Sequence, residues 1–213
     1  EEMCEGGAAE MVVWPWWLDS GVIVSNAAAV VGEGEVRQVA IPKETATAED
    51  AYLRVIGAKT AALFSAAAEV GGVIANRPRD EQAALESYGR NLGIVFQLVD
   101  DALDYSGKQA NLGKSVGDDF RERKITLPVV LSFRRGSKEE RNFWKRTLEE
   151  GNQTNDDLIH AQKLMEKHGA LADTIERANH YGDIARDALA IFPDNEWKLA
   201  LLEAVDFCVT RAY

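Results

Sequence analysis

Positive charge is scarce in this sequence: 24 Lys and Arg stand against 35 Asp and Glu, a formal net charge of −11. A nucleic-acid surface needs clustered Lys and Arg to neutralise phosphates, so the deficit argues against a nucleic-acid partner. Phosphate chemistry survives it, because carboxylates can hold a diphosphate through divalent metal ions. Cysteine is nearly absent. Cys4 and Cys208 lie far apart and form no CxxC pair, which leaves neither a disulfide framework nor a zinc site. No apolar run approaches the ~18 residues that a membrane span requires. The acidic start, with Glu1, Glu2 and Glu5, does not read as a signal peptide. A soluble protein of the reducing cytoplasm is expected. Proline is sparse too, confined to Pro15, Pro42, Pro78, Pro128 and Pro193.

Between the prolines run long segments of helical periodicity, and no convincing alternating strand is found. With 46% hydrophobic and 28% charged residues, the 213-residue chain can bury one core. Helices are expected over roughly 22–40, 49–75, 80–106, 117–133, 138–149, 154–168, 170–191 and 195–211. Asn155 before Asp156 and Asp157 suits a helix start, Gly169 suits its end, and Asp194 suits a further N-cap. The fold class is all-α, a helical bundle without internal repeats or low-complexity linkers. Residues 1–21 form a separate, irregular N-terminal segment in this reading. Trp14, Pro15, Trp16 and Trp17 make an aromatic knot that fits no regular element, either an interface or a staple under the bundle.

The strongest chemical signal is Phe96-Gln97-Leu98-Val99-Asp100-Asp101-Ala102-Leu103-Asp104. Leu85, Tyr88, Leu92, Val95, Phe96, Val99 and Leu103 recur at spacings of three and four, defining a buried helical face. Gly93, Gln97, Asp100, Asp101 and Asp104 fall on a stripe beside it. Asp100 and Asp104, four apart, neighbour each other and repel. A hard cation such as Mg²⁺ relieves this by taking one or two carboxylates and filling its shell with water and substrate phosphate. A solvated acidic face is the other reading of the same pattern. A calcium loop is not, since these acids lie in a helix and lack alternate spacing.

A second stripe, Tyr52, Val55, Ile56, Leu63, Ala66, Ala67 and Val70, has Lys59 in its middle. A lysine there either meets an anion or extends its ammonium to water. Thr60 adds a hydroxyl, and the pair reads as a phosphate clamp. After the acidic helix come Leu112-Gly113-Lys114-Ser115, Gly117-Asp118-Asp119, then Arg121, Arg123, Lys124, Thr126, Leu127 and Pro128. Gly-Lys-Ser is not a P-loop here: Gly107 lies one position too far upstream, and a helix rather than a strand precedes it. A glycine-bearing loop that carries Lys114 toward the acidic site fits better. Lys114 and Lys124 can equally be ordinary surface lysines.

Taken in order, Lys59-Thr60, Tyr88-Gly89 with Leu92-Gly93, the Phe96–Asp104 segment, Leu112-Gly113-Lys114 and Lys124-Ile125-Thr126-Leu127-Pro128 strongly resemble the trans-isoprenyl diphosphate synthases, or polyprenyl synthetases. Glu33-Gly34-Glu35 with Gln38, and the ending Leu201-Leu202-Glu203-Ala204-Val205-Asp206-Phe207, look like the same family. The likeness covers most of residues 22–211, so 22–213 reads as the C-terminal part of the family's domain. The Asp-rich segment looks most like that of long-chain, quinone-tail synthases. Terpene cyclases share the metal chemistry, but the Gly-Lys and Lys-Ile-Thr-Leu-Pro segments suit prenyl elongation better.

The resemblance implies Mg²⁺-dependent, head-to-tail condensation of isopentenyl diphosphate with an allylic diphosphate. It implies that Asp100 and Asp104 serve the metal, with Asp101 supporting. Lys59, Lys114 and Lys124 would bind the allylic diphosphate, while Thr60 and Gln97 would line the reacting centre, and a homodimer is the family norm. The family's first Asp-rich motif and its Gly-Lys-Arg signature have no counterpart here; upstream of Lys59 stand only the isolated Asp19 and Asp50. The chain is therefore expected to begin after the helices that carry them. A fragment of a full enzyme, a non-catalytic subunit of a heteromeric synthase, and a helical assembly module all fit that departure.

Overall fold

The computed structural model describes residues 15–40, 45–106 and 116–211. Among these residues every regular element is helical, as the periodicity predicts. α1 (Pro15–Ala40) begins seven residues before the expected start at 22, because Pro15 opens it: the fixed φ of proline suits the first helical turn. The knot is thus partly helical rather than irregular, and Trp17 stands 67% exposed on α1; Trp14 lies outside the described residues.

α2 (Glu49–Ile56) and α3 (Ala62–Ile74) are one continuous rod joined by a π-helical turn over Gly57–Ala61. The wider turn inserts one residue into the helical repeat, which rotates the apolar stripe. Leu63 and Ala67, expected on the buried face, are exposed, and Ala61 and Ser65 are buried in their place. Through a short turn at 75–78, α3 leads into α4 (Arg79–Ser106), so the two pack as antiparallel neighbours. α4 is the axis of the fold, ~42 Å long at 1.5 Å per residue, with α3, α9 and α10 against it. It is buried on more than one face; Asn91 through Val95 are all buried, which no amphipathic surface helix allows.

The expected helix 117–133 is two. α5 (Asp118–Arg121) ends in a turn where Arg123 adopts φ +59°, and α6 (Leu127–Arg135) starts afresh with Pro128 in its first turn. α7 (Lys138–Trp144) carries a capping box, Ser137 with Glu140, and runs into a second π-helical turn at Lys145–Glu149. α8 (Asp157–Lys167) and α9 (Ala170–Ala188) meet at Gly169, whose φ of +62° suits a residue without Cβ. α10 (Glu196–Thr210) is capped by Asn195, which accepts from the Lys198 backbone N–H at 2.8 Å, rather than by Asp194. Asp194 instead pairs with the Lys198 ammonium at 2.9 Å.

Candidate active site

Glycines bring the two chemical segments together. A Cβ at Gly89 would lie 2.2 Å from the Phe64 carbonyl oxygen, and one at Gly93 would lie 2.7 Å from the Ala61 Cα. Only bare backbone allows α4 to cross the α2–α3 rod this closely. The crossing sits one helical turn before Gln97 and directly beside the π-helical turn. That turn holds Lys59 and Thr60, both half-buried, toward the same end of α4.

From there a chain of hydrogen bonds runs inward. The Thr60 hydroxyl donates to Gln97 Oε1 at 3.0 Å, and Gln97 Nε2 donates to Asp101 Oδ1 at 2.7 Å. The Tyr52 hydroxyl donates to Asp101 Oδ2 at 2.5 Å from the opposite side. Tyr52 and Asp101 are only 5% and 3% exposed, so both carboxylate oxygens are committed inside the protein. Burial pushes the Asp101 carboxyl up to about 7, against the two hydrogen bonds, with Asp119 and Asp100 adding to the rise. Burial, together with Asp101, also raises the Tyr52 phenol well above its ordinary range, so it keeps the proton it donates.

Asp104 turns the other way. Its carboxylate accepts the backbone N–H groups of Asp118 and Asp119 at 3.2 and 3.0 Å, while its backbone carbonyl accepts from the Gly117 N–H at 2.9 Å. These bonds return the chain from α4 to the start of α5. Gly117, at φ +81°, makes the turn, and a Cβ there would collide with Leu158 at 2.5 Å. Burial pushes the Asp104 carboxyl up to about 6, with Asp119 next in weight. Lys124 reaches back over this corner to Asp119 and Glu122, both at 2.8 Å, and Arg121 pairs with Asp118 at 2.7 Å.

The structure thus gathers Lys59, Thr60, Gln97, Asp100, Asp101 and Asp104 at one end of α4, with Lys124 at its rim. Asp100 is half-buried, in contrast to the buried Asp101 and Asp104. Lys114 lies outside the described residues. Among the described residues no three His, Cys, Asp or Glu side chains converge to hold a metal unaided. The donor set nonetheless suits a hard divalent cation: burial first, and the Asp119 and Asp118 carboxylates after it, raise the Asp104 carboxyl, and added positive charge beside it and the half-buried Asp100 favours the ionised form. Sequence reasoning missed Tyr52 and Asp119 as site residues. Tyr52 looked like an ordinary member of an apolar stripe, and no spacing rule links a tyrosine to a carboxylate 49 residues away.

Comparison with known proteins follows the same lines. The family model for polyprenyl synthetase matches residues 18–165. The octaprenyl diphosphate synthase of Escherichia coli (strain K12) is 39% identical over 189 residues, covering 89% of this chain and 58% of that relative. The crystal structure of a decaprenyl diphosphate synthase from Rhodobacter capsulatus superposes with a TM-score of 0.86 at 50% identity, covering 92% of this chain and 60% of that one. A polyprenyl synthase from Caulobacter crescentus CB15, complexed with calcium and isoprenyl diphosphate, gives 0.87 at 44% identity, covering 92% and 60%. The chain spans about three-fifths of the length of these relatives. No helix among the described residues is long and apolar enough to cross a membrane.

Proposed function

The chain belongs to the polyprenyl synthetase family, and from that premise we propose that it contributes to a trans-prenyltransferase, which condenses isopentenyl diphosphate with an allylic diphosphate. The observation that carries this reading is the junction in which Thr60, Gln97 and Asp101 are hydrogen-bonded in series beside Lys59 and Asp100. A bundle that served only as a scaffold has no use for such a buried polar series, since each member must be satisfied at the expense of apolar packing.

Lys59, Lys114 and Lys124 bind the allylic diphosphate. Thr60 and Gln97 line the reacting centre, where the allylic carbon loses its diphosphate, the double bond of isopentenyl diphosphate attacks it, and a proton leaves the resulting cation. Asp100 is the carboxylate best placed to hold Mg²⁺, with Asp104 four residues on and Asp101 holding their helix end in register. The ion, when bound, supplies charge neutralisation for the departing diphosphate. Because Mg²⁺ takes only one or two carboxylates and completes its shell with water and phosphate, the two-sided use of Asp104 is compatible with this role. The names of the relatives support a long-chain product. We assign the protein to the cytoplasm and to a homodimer, with a heteromer as the other arrangement. Trp17, Leu18, Val22 and Val24, all more than half exposed on α1, supply apolar surface for association.

The deciding experiment is calorimetric titration of farnesyl diphosphate with and without Mg²⁺, on this chain and on Asp100→Ala. Binding that requires Mg²⁺ and disappears in Asp100→Ala supports the reading. Binding that is indifferent to either change refutes it.

A further inference from the structure

The hydrogen-bond series has a direction, and the direction is set from its buried end. Tyr52 keeps its proton and faces a carboxylate, so it donates to Asp101 Oδ2. Asp101 Oδ1 accepts from Gln97 Nε2 at 2.7 Å, so Gln97 turns its amide nitrogen, not its oxygen, to this carboxylate. Gln97 Oε1 then faces outward, and the Thr60 hydroxyl spends its single proton on that oxygen. What Thr60 Oγ1 has left for a ligand is lone pairs alone. Four side chains, from α2, the π-helical turn that follows it and α4, are therefore fixed in both place and polarity.

We propose that Tyr52 is a positioning residue: its buried hydroxyl, acting through Asp101, fixes the amide orientation of Gln97 and commits the Thr60 proton inward, so that Thr60 meets the substrate as an acceptor. This rests on the transferase reading for its consequence, but not for its geometry. Tyr52 touches no substrate. It is 5% exposed on α2, behind Asp101 as seen from Thr60. Without its hydroxyl, Asp101 loses the donor on Oδ2 and becomes free to rotate, and both orientations of the Gln97 amide become accessible. Thr60 can then turn its proton outward.

The test compares Tyr52→Phe with Ile56→Val, a trimming of the neighbouring core residue on the same helix face. In ligand-free protein, NMR follows the Gln97 side-chain amide and the Thr60 methyl. Thermal unfolding is recorded alongside, and calorimetry gives the affinity for farnesyl diphosphate with Mg²⁺. The expected result is that Tyr52→Phe moves the Gln97 and Thr60 signals and weakens the affinity roughly tenfold, the effect of one charge-assisted hydrogen bond. Ile56→Val moves neither. The proposal is overturned if the Gln97 and Thr60 signals stay in place, if Ile56→Val moves them equally, or if they move while the affinity is unchanged. Signals that move as expected in a chain that binds no farnesyl diphosphate even as wild type sustain the positioning role and refute the transferase reading.

Discussion

Asp104 Oδ2 accepts the backbone N–H of Asp119 at 3.0 Å, which ties the end of α4 to the start of α5. The bond makes one carboxylate both a candidate metal ligand and the anchor of the chain's return. Replacing Asp104 by Ala leaves two N–H groups of that turn without their acceptor, at about 1–3 kcal/mol. Asp104→Ala is therefore expected to lower the urea midpoint of unfolding measurably even without Mg²⁺. An unchanged midpoint would show the anchor to be unimportant.

The crossing of α4 over Ala61 and Phe64 makes a second prediction. Gly93→Ala places a methyl 2.7 Å from the Ala61 Cα, against backbone that cannot swing aside. Overpacking of this kind costs about 1–3 kcal/mol, and relief requires the π-helical turn to move away from Gln97. Chemical denaturation should show the loss. Affinity for farnesyl diphosphate with Mg²⁺ should fall too, because Thr60 moves with Ala61. Full stability and full affinity in Gly93→Ala would mean that the close crossing is not needed.

What the sequence disclosed and what it withheld follow from the range of the interactions. The all-α class and the positions of α4, α9 and α10 were legible because helical periodicity is local, as was the proximity of Asp100, Asp101 and Asp104 on one helix. The split at residues 122–126 was missed although Pro128 marks a fresh helix start locally; the positive φ of Arg123, which makes the turn, is one a non-glycine residue rarely takes and its type does not announce. The π-helical turn at Gly57–Ala61 escaped as well. Its last residue, Ala61, lies against Gly93 of α4, a contact more than thirty residues away in sequence. Tyr52 and Asp119 became visible only once α2, α4 and α5 were placed side by side.

Asp157 supplies a prediction in pH. The expected helix start at Asn155–Asp157 is built differently: Asp157 is buried, accepts the Thr154 N–H at 2.7 Å, and pairs with Arg146 through both oxygens at 3.0 and 2.7 Å. The Arg146 hydrogen bonds hold its carboxyl down at about 2, below the ~3.9 of an unfolded chain. A depressed carboxyl contributes stability that is fully present above the unfolded value and is lost as pH falls through the folded one. The melting temperature of wild type should therefore drop more steeply than that of Asp157→Asn between about pH 4 and pH 2. Parallel curves would remove the pair from the stability of the fold.

Lys124 separates a structural from a binding role most cleanly. Its ammonium bridges Asp119 and Glu122 at 2.8 Å each, but its side chain is 44% exposed, in the range where ion pairs are screened. The pairs are thus expected to add about 0–1 kcal/mol, and Lys124→Ala should unfold at nearly the wild-type denaturant concentration. A diphosphate offers the same ammonium a denser negative charge than either carboxylate. Exchange of Asp119 for phosphate also returns a negative charge to the corner where added positive charge is most favourable, beside Asp104. The substitution should accordingly weaken Mg²⁺-dependent farnesyl diphosphate binding about tenfold, the worth of one charge-assisted hydrogen bond. Calorimetry and denaturation on the same preparation decide it: lost affinity at full stability places Lys124 in the diphosphate site, and lost stability at full affinity makes it a strut for the α5–α6 turn.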